Sequence, residues 1–250
     1  MSMSRAWTHA FLAVLLAVAF HSGRAAEPDA KTLIEQAIKA HGGAEELKKT
    51  QISVSQFKGK IQSPAGELEL SGEVASDKDQ RQRVSMQLEV MGMKVDVVTV
   101  LKNDSGWTKI NDTLLEFNAE QVAEGREQAH GHWVATLLPL LGPEYKLAGR
   151  GEVKVQDKPA YGVIVSRADR RDVQLFFDKE THLLVKTEQR VKDETGKELT
   201  EESFFSDYQE KDARQPMKVS VRRDDMPYME AEVTSFQTRE KLEDSLFEKP

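Results

Sequence analysis

The sequence predicts a mainly β, α+β chain: a large curved antiparallel sheet forming an unclosed half-barrel, covered by an N-terminal helix and a central helical lid. Three observations carry this reading. Apolar residues recur with a period of two from Ile52 to Val233, in strand-length runs separated by turns at the spacing of all-β folds. Only residues 29–43 and 118–143 depart from that period in favour of a helical one. A sheet of roughly a dozen strands must also twist and curl, which leaves an apolar concave face to be covered.

The chain opens with Arg5, an apolar run from Ala10 to Phe20, and the small residues Gly23, Ala25 and Ala26 placed for cleavage. We read residues 1–26 as a secretory signal peptide, too short in its apolar run to span a bilayer comfortably; an N-terminal anchor is the competing reading. No cysteine follows the run, which excludes a lipoprotein anchor. Removing Arg5 and Arg24, and no acid, takes the net charge from -7 to -9. So acidic a chain will not seek nucleic acid or an anionic membrane surface. Residues 27–250 are expected to form a single domain held by burial and strand pairing, since without cysteine disulfides can contribute nothing.

Asp29 is placed to cap a helix whose inner face is Leu33, Ile34, Ala37, Ile38 and His41, and Gly42-Gly43 ends it. In the last turn a partly positive His41 imidazole would suit the helix dipole. Strands follow. Ile52 and Val54 begin the first, and Leu68, Leu70, Gly72 and Val74 share a face of the next. Val84, Met86, Leu88 and Val90 share another, Met91-Gly92-Met93 is a tight connection, and Val95, Val97, Val98 and Val100 make a strand apolar on both sides. Trp107 and Ile110, then Leu114, Leu115 and Phe117, lead into the central excursion.

That excursion begins with Asn118 as cap and Gln121 three residues on, the capping-box spacing. Ala129, Trp133, Leu137 and Leu140 recur on one face, which needs a partner. Gly131 and Pro139 are weak points, so a break into two short helices near Gly131 is expected before Gly142-Pro143 stops the element. Alternation then resumes through Val153 and Val155, Tyr161 to Val165, Val173 to Phe177, Leu183, Val185 and Thr187, Ser203 to Tyr208, Val219 with Val221, and Met229 to Val233. If the two helices fill the concavity, the protein is a packed half-barrel. If they sit loosely, they leave a cavity for an apolar ligand.

Catalytic signatures are missing: there is no nucleophile elbow, phosphate-binding loop, dinucleotide glycine pattern, paired-histidine zinc helix or calcium loop. An enzyme is not expected, nor a cofactor. His130 and His132 flank Gly131, but on a helix they point to nearly opposite sides, so no metal site is expected. The strand-borne methionines, Met86 and Met229 among them, suit either gap filling or an adaptable apolar lining. Trp107 and Trp133 could equally anchor the lid or touch a ligand.

Several marks, in order, carry a resemblance. They are the opening helix ending His41-Gly42-Gly43 with Leu47 following, the Trp107 strand before a helical excursion, and the run Phe177 to Val185 (FDKETHLLV). Phe205-Ser206-Asp207-Tyr208, with Pro216 opening the next strand, and the ending Leu246 to Pro250 complete the series. With these marks the chain resembles the superfamily of periplasmic lipoprotein carriers typified by LolA and LolB, which also includes RseB-like stress sensors. The resemblance implies an unclosed β-barrel of about eleven antiparallel strands over helices, with an apolar cavity for acyl chains. An exported soluble carrier of lipid or lipoprotein acyl chains, delivering to or receiving from a membrane-anchored protein, is the first expectation; an RseB-like sensor or interaction module without bound lipid is the alternative. Under the carrier reading the cavity lining is expected to include Met86, Val97, Trp107, Trp133, Leu137, Leu140, Phe177 and Val185.

Overall fold

In the computed structural model, which describes residues 28–64, 66–78, 81–209 and 213–250, one sheet of 13 strands carries most of the chain. The stretch read as a signal peptide, 1–26, lies outside these residues. The chain begins with α1 (Ala30–Ala40) and a short α2 (Ala44–Lys49). Six strands follow as a meander: β1 (Ile52–Ser63), β2 (Gly66–Asp77), β3 (Arg81–Val90), β4 (Met93–Lys102), β5 (Ser105–Ile110) and β6 (Thr113–Glu116). After α3 (Ala119–Ala135) and a 3₁₀ turn (Leu138–Leu141) come β7 (Lys146–Val155), β8 (Lys158–Arg167), β9 (Arg170–Asp178) and β10 (Leu184–Lys192). The series ends with β11 (Glu198–Gln209), β12 (Gln215–Arg223) and β13 (Met226–Thr238).

Every strand pairs antiparallel with its sequence neighbour except across the α3 excursion, and β1 pairs with β13 to join the two runs. β6 and β7 are therefore the two free edges, and the sheet is not closed. The chain passes from one edge to the other through α3. That helix packs on β4 and β5 at one side and on β9 and β10 at the other, so it spans the open side of the half-barrel.

Curvature is written into the backbone at the centre of the sheet. A Cβ on Gly59 would lie 1.9 Å from the Glu230 carbonyl oxygen, and one on Gly72 would lie 2.2 Å from that of Ser85. Only glycine permits so close an approach, and a register shift between Gln56 and Phe57 against β13 adds a further bend. At the β3–β4 connection Met91 and Gly92 both take left-handed backbone, with φ of 51° and 78°, the geometry that matches hairpin twist.

α1 forms as its sequence indicates. The Asp29 carboxylate accepts from the Lys31 and Thr32 amides, and Leu33, Ile34, Ala37 and Ile38 are buried. Their partners are Val163, Val165, Val173, Leu175 and Phe177 on β8 and β9, with Leu184 of β10 and Leu47 of α2. Fully burying each of these large side chains contributes roughly 1.5–3 kcal/mol, so this plug is the main hydrophobic core. Two smaller clusters lie on the other face of the sheet. One sets Trp107, Ala75 and Val100 under Leu242 and Phe247 of the C-terminal segment; the other joins Val155, Ala160 and Phe176.

Some expectations are corrected. The short α2 has no counterpart in the sequence reading, and the sheet has 13 strands rather than about eleven. The helix does not break at Gly131: α3 runs through it to Ala135, and a Cβ there would meet the Gln189 amide oxygen at 1.9 Å. Glycine is used at that point for close helix–sheet approach. The break falls instead at Leu137, whose φ is 70°, before Pro139 enters the 3₁₀ turn. The surroundings of His41 disfavour the partial positive charge expected of it. The ring is buried, and burial pushes its pKa below the ordinary histidine value despite the Ala37 carbonyl bond.

Candidate functional site

A cavity of about 460 Å³ lies between the concave face of the sheet and the underside of α3. Its floor follows from strand alternation: register puts Ser55, Val74 and Val84 in one row across β1, β2 and β3, and Phe57, Gly72 and Met86 in the next. β12 and β13 continue the floor with Val219, Met229, Ala231, Val233 and Phe236. The small side chains Ser53, Ser55 and Ala231, with Gly72 beside them, leave the volume that the larger ones border. Such a volume falls within the ~300–1,000 Å³ usual for small-molecule sites.

The roof is α3. Asn118 accepts from the Gln121 amide while the Gln121 side chain accepts from the Asn118 amide, a complete capping box. Glu124 ties the helix to the far arm through Arg171, at 2.9 Å, and the Lys192 amide, at 2.8 Å. Glu127 accepts from the Arg171 amide at 2.8 Å, and Arg126 pairs with Asp104 at 2.6 Å on the near arm. Held on both sides, α3 presents Ala129, His132 and Trp133 to the cavity, and Thr136 and Leu137 extend the roof beyond its end.

Polar groups sit where the cavity meets the α1–α2 junction. The His41 Nδ1–H donates to the Ala37 carbonyl at 2.8 Å, and its Nε2 faces the Leu184 amide at 3.5 Å. Its ring meets Tyr208 edge-on at 5.5 Å. The Tyr208 hydroxyl donates to the Leu184 carbonyl, and burial pushes its pKa well above the tyrosine range. His132 is open to the cavity yet enclosed by its walls, 3.5 Å from the Gln82 amide. Enclosure lowers its pKa, which the Glu201 charge partly opposes. His130, by contrast, is buried and stacked on Tyr145 at 5.9 Å, so the two histidines flanking Gly131 serve different surroundings. Among the described residues no group of three or more potential ligands is arranged to hold a metal ion.

Of the eight lining residues expected from the sequence, Met86, Trp133 and Leu137 border the cavity. Val97 pairs with Met86 on the same face but lies outside the lining. Leu140 and Phe177 are on the inner side, packed into the α1 core and outside this lining. Trp107 and Val185 are on the opposite face. Trp107 pairs with Val100 and is covered by Phe247 and Leu242. Val185 is displaced by a register shift between Leu184 and Lys186, and packs toward Phe176 and Phe204. The sequence reading missed Phe57 and Phe236, which border the β1–β13 irregularity, and the cationic rim of Lys78, Arg81 and Arg214.

A larger trough, of about 670 Å³, lies on the outer face and is lined chiefly by Lys58, Lys60, Glu69, Glu89, Glu230 and Glu232. Its charges are of both signs and pair across strands, Lys58 with Glu232 at 3.4 Å within the trough and Lys60 with Glu67 beside it at 2.5 Å. It is a solvated charged surface, and the cavity under α3 is the better candidate site.

No family model matches the sequence, and no curated relative matches it. Similar solved structures exist. A LolA superfamily protein from Nitrosomonas europaea superposes with a TM-score of 0.55 at 10% identity, over 89% of this chain and 99% of that one. A DUF1329 family protein from Desulfovibrio piger gives 0.52 at 13% identity, over 88% and 97%. A domain described as an outer membrane lipoprotein-sorting protein, from Vibrio parahaemolyticus, gives 0.50 at 10% identity, over 86% and 97%. Identities this low speak for architecture alone. With its open antiparallel sheet wrapped over an N-terminal helix and a central helix, the chain has the LolA-like fold.

Proposed function

We propose that this chain is an exported carrier, working as a single domain in the periplasm, that shelters lipid or lipoprotein acyl chains under α3. One observation carries the reading: the cavity floor is apolar where Phe57, Met86, Val219, Met229 and Phe236 meet, and α3 roofs it with little large apolar surface besides Trp133. Burying one acyl methylene is worth about 0.8 kcal/mol, so a few carbons beneath this roof give useful affinity without any reaction being catalysed. A carrier must also release its load. The roof is held at its flanks by ion pairs and hydrogen bonds, Glu124 with Arg171 and Arg126 with Asp104, which can part without unfolding the sheet. A membrane-anchored donor or acceptor protein would complete the cycle.

The test is native mass spectrometry on mature protein purified without detergent, followed by organic extraction. A lipid or acylated peptide at near one per chain is expected, and Trp133→Glu is expected to lose it while keeping the wild-type circular dichroism spectrum. A clean apo mass together with no uptake of added lipid would overturn the carrier reading in favour of a sensor or interaction module.

A further inference from the structure

The floor of the cavity under α3 changes character along its strands. Around Phe57, Met86 and Met229 it is apolar, and further along β1 to β3 it is built from groups that hydrogen-bond without carrying charge. Register sets three of them side by side: Ser53 of β1 pairs with Ser76 of β2, which pairs with Gln82 of β3. Directly opposed residues of an antiparallel pair hold their Cβ atoms about 4.5–5.5 Å apart, so two hydroxyls and an amide form one continuous row. Ser55 adds a third hydroxyl two residues along β1, on the way to the apolar floor. His132 overhangs the row from α3, its ring 3.5 Å from the Gln82 amide.

These hydroxyls are not used by the fold. No described residue forms a hydrogen bond with the hydroxyl of Ser53, Ser55 or Ser76, and all three side chains border the hollow half-buried. Other hydroxyls of the same interior are used. Thr99, which pairs with Val84 on this face, bonds Thr108 at 2.8 Å, and Thr136 donates to the Trp133 carbonyl at 2.7 Å. A hydroxyl and a carboxamide each donate and accept, so the full complement of the row is a group that does both. An ionised carboxylate offers acceptors alone, and it would leave water for a row of uncharged groups.

Resting on the carrier reading above, we infer that the ligand is an amphiphile with an uncharged polyol head, laid along Ser53, Ser76 and Gln82, its chain running past Ser55 toward Met86 and Met229. Several hydroxyls on neighbouring carbons can answer Ser53 and Ser76 together, which a single ester or alcohol group cannot. The shared chemistry is an acyl or alkyl chain ending in a glycerol or a sugar. An ester of equal chain length would gain the burial, but it brings no donor for the serine oxygens.

Binding of 1-dodecanoylglycerol, dodecyl glucoside, methyl dodecanoate and dodecanoate, each below its micelle threshold, tests this on the mature protein. The two polyols are expected to bind on the order of tenfold tighter than the methyl ester, the worth of one or two net hydrogen bonds. That preference should vanish in the Ser53→Ala/Ser76→Ala double variant, which still binds the methyl ester. Ser71→Ala, on the outer face, should keep it. The relative affinity of the two polyols tells a glyceride-like head from a sugar. If the methyl ester binds as tightly as the polyols, the head-group inference falls and the carrier reading stands. If dodecanoate binds tightest, charge selects the head and the inference falls. If the preference survives in the alanine variant, the hydroxyl row is not its origin and the inference falls likewise. If none of the four binds, both readings fall together.

Discussion

The two arms of the sheet have the same strand geometry and opposite interiors. On β8 and β9 the inward positions are Val163, Val165, Val173, Leu175 and Phe177, all with 3% exposure or less, and α1 fills the space above them. On β1, β2 and β13 the corresponding positions include Ser53, Ser55, Gly72, Ser76 and Ala231, and no helix descends into them. The roofs differ to match. α1 offers a continuous apolar stripe, whereas α3 is largely Ala, Gly, Glu and Gln, and turns to the cavity only one large apolar side chain, Trp133, beside Ala129 and His132. A hollow is thus specified twice, by small residues on the floor and by a roof that cannot fill it.

That contrast is most exposed by deleting one aromatic ring on each side. Phe177→Ala in the filled arm is expected to cost about 3–5 kcal/mol, because its neighbours are fixed and a void remains. Phe236→Ala in the hollow arm should cost roughly half of that or less, since its ring already borders empty space and is half-buried. Denaturant midpoints of the two variants measure the difference, and equal losses would mean that the hollow arm collapses in solution.

Curvature offers a second, smaller lever. Gly59→Ala forces a methyl group against the Glu230 carbonyl, and backbone cannot yield as a side chain can. We expect a loss of ~1–3 kcal/mol, with the strain spread along the β1–β13 pairing that joins the arms. Hydrogen exchange should report it as faster exchange on β1 and β13 than on β8 and β9. Smaller again is Asn118→Ala, which removes the α3 cap at a cost of about 1 kcal/mol. Because the cap lies in the roof, that variant should accelerate exchange of the α3 amides while leaving α1 unchanged.

Much of this was legible in the sequence, for reasons specific to each element. The Asn118–Gln121 box and the Asp29 cap depend on neighbours within three residues, so spacing alone reveals them. Strand alternation sorts residues into two faces but does not say which face is concave. That is why Trp107 was grouped with Met86 when it belongs under Phe247, on the other side. A bulge reverses the parity on which such sorting rests, and the shift between Leu184 and Lys186 did so for Val185. Phe177 and Leu140 were placed on the correct side, but whether a side faces a plug or a hollow depends on how deeply α1 sits, a long-range property. Gly131 carries the same lesson, because its contact, Gln189, is 58 positions away by their numbers in the chain.

Acid distinguishes the arms in another way, with an effect limited to one or two protons. His41 stands between them: its Nε2 faces Leu184 of the filled core, and its ring meets Tyr208 of the cavity wall. Burial lowers its pKa and the Arg214 charge lowers it further, although the Ala37 carbonyl bond opposes both. When the pH falls below the ordinary histidine value of 6.5, the unfolded chain takes up a proton that the folded chain does not. Stability is therefore lost as pH falls from that value toward the lower folded one, and is unaffected above it. Asp178 stays outside this window, since against the effect of its partial burial its bonds from Thr181 and Glu180 lower its pKa from an ordinary value of 3.8. His132 titrates in the same direction but faces the cavity beside Gln82, with the Glu201 charge favouring its protonated form. His41→Gln should accordingly flatten the fall in denaturant midpoint between pH 7 and 5 more than His132→Gln does. The reverse ranking would put the acid-sensitive joint in the roof of the hollow arm and not where the two arms meet.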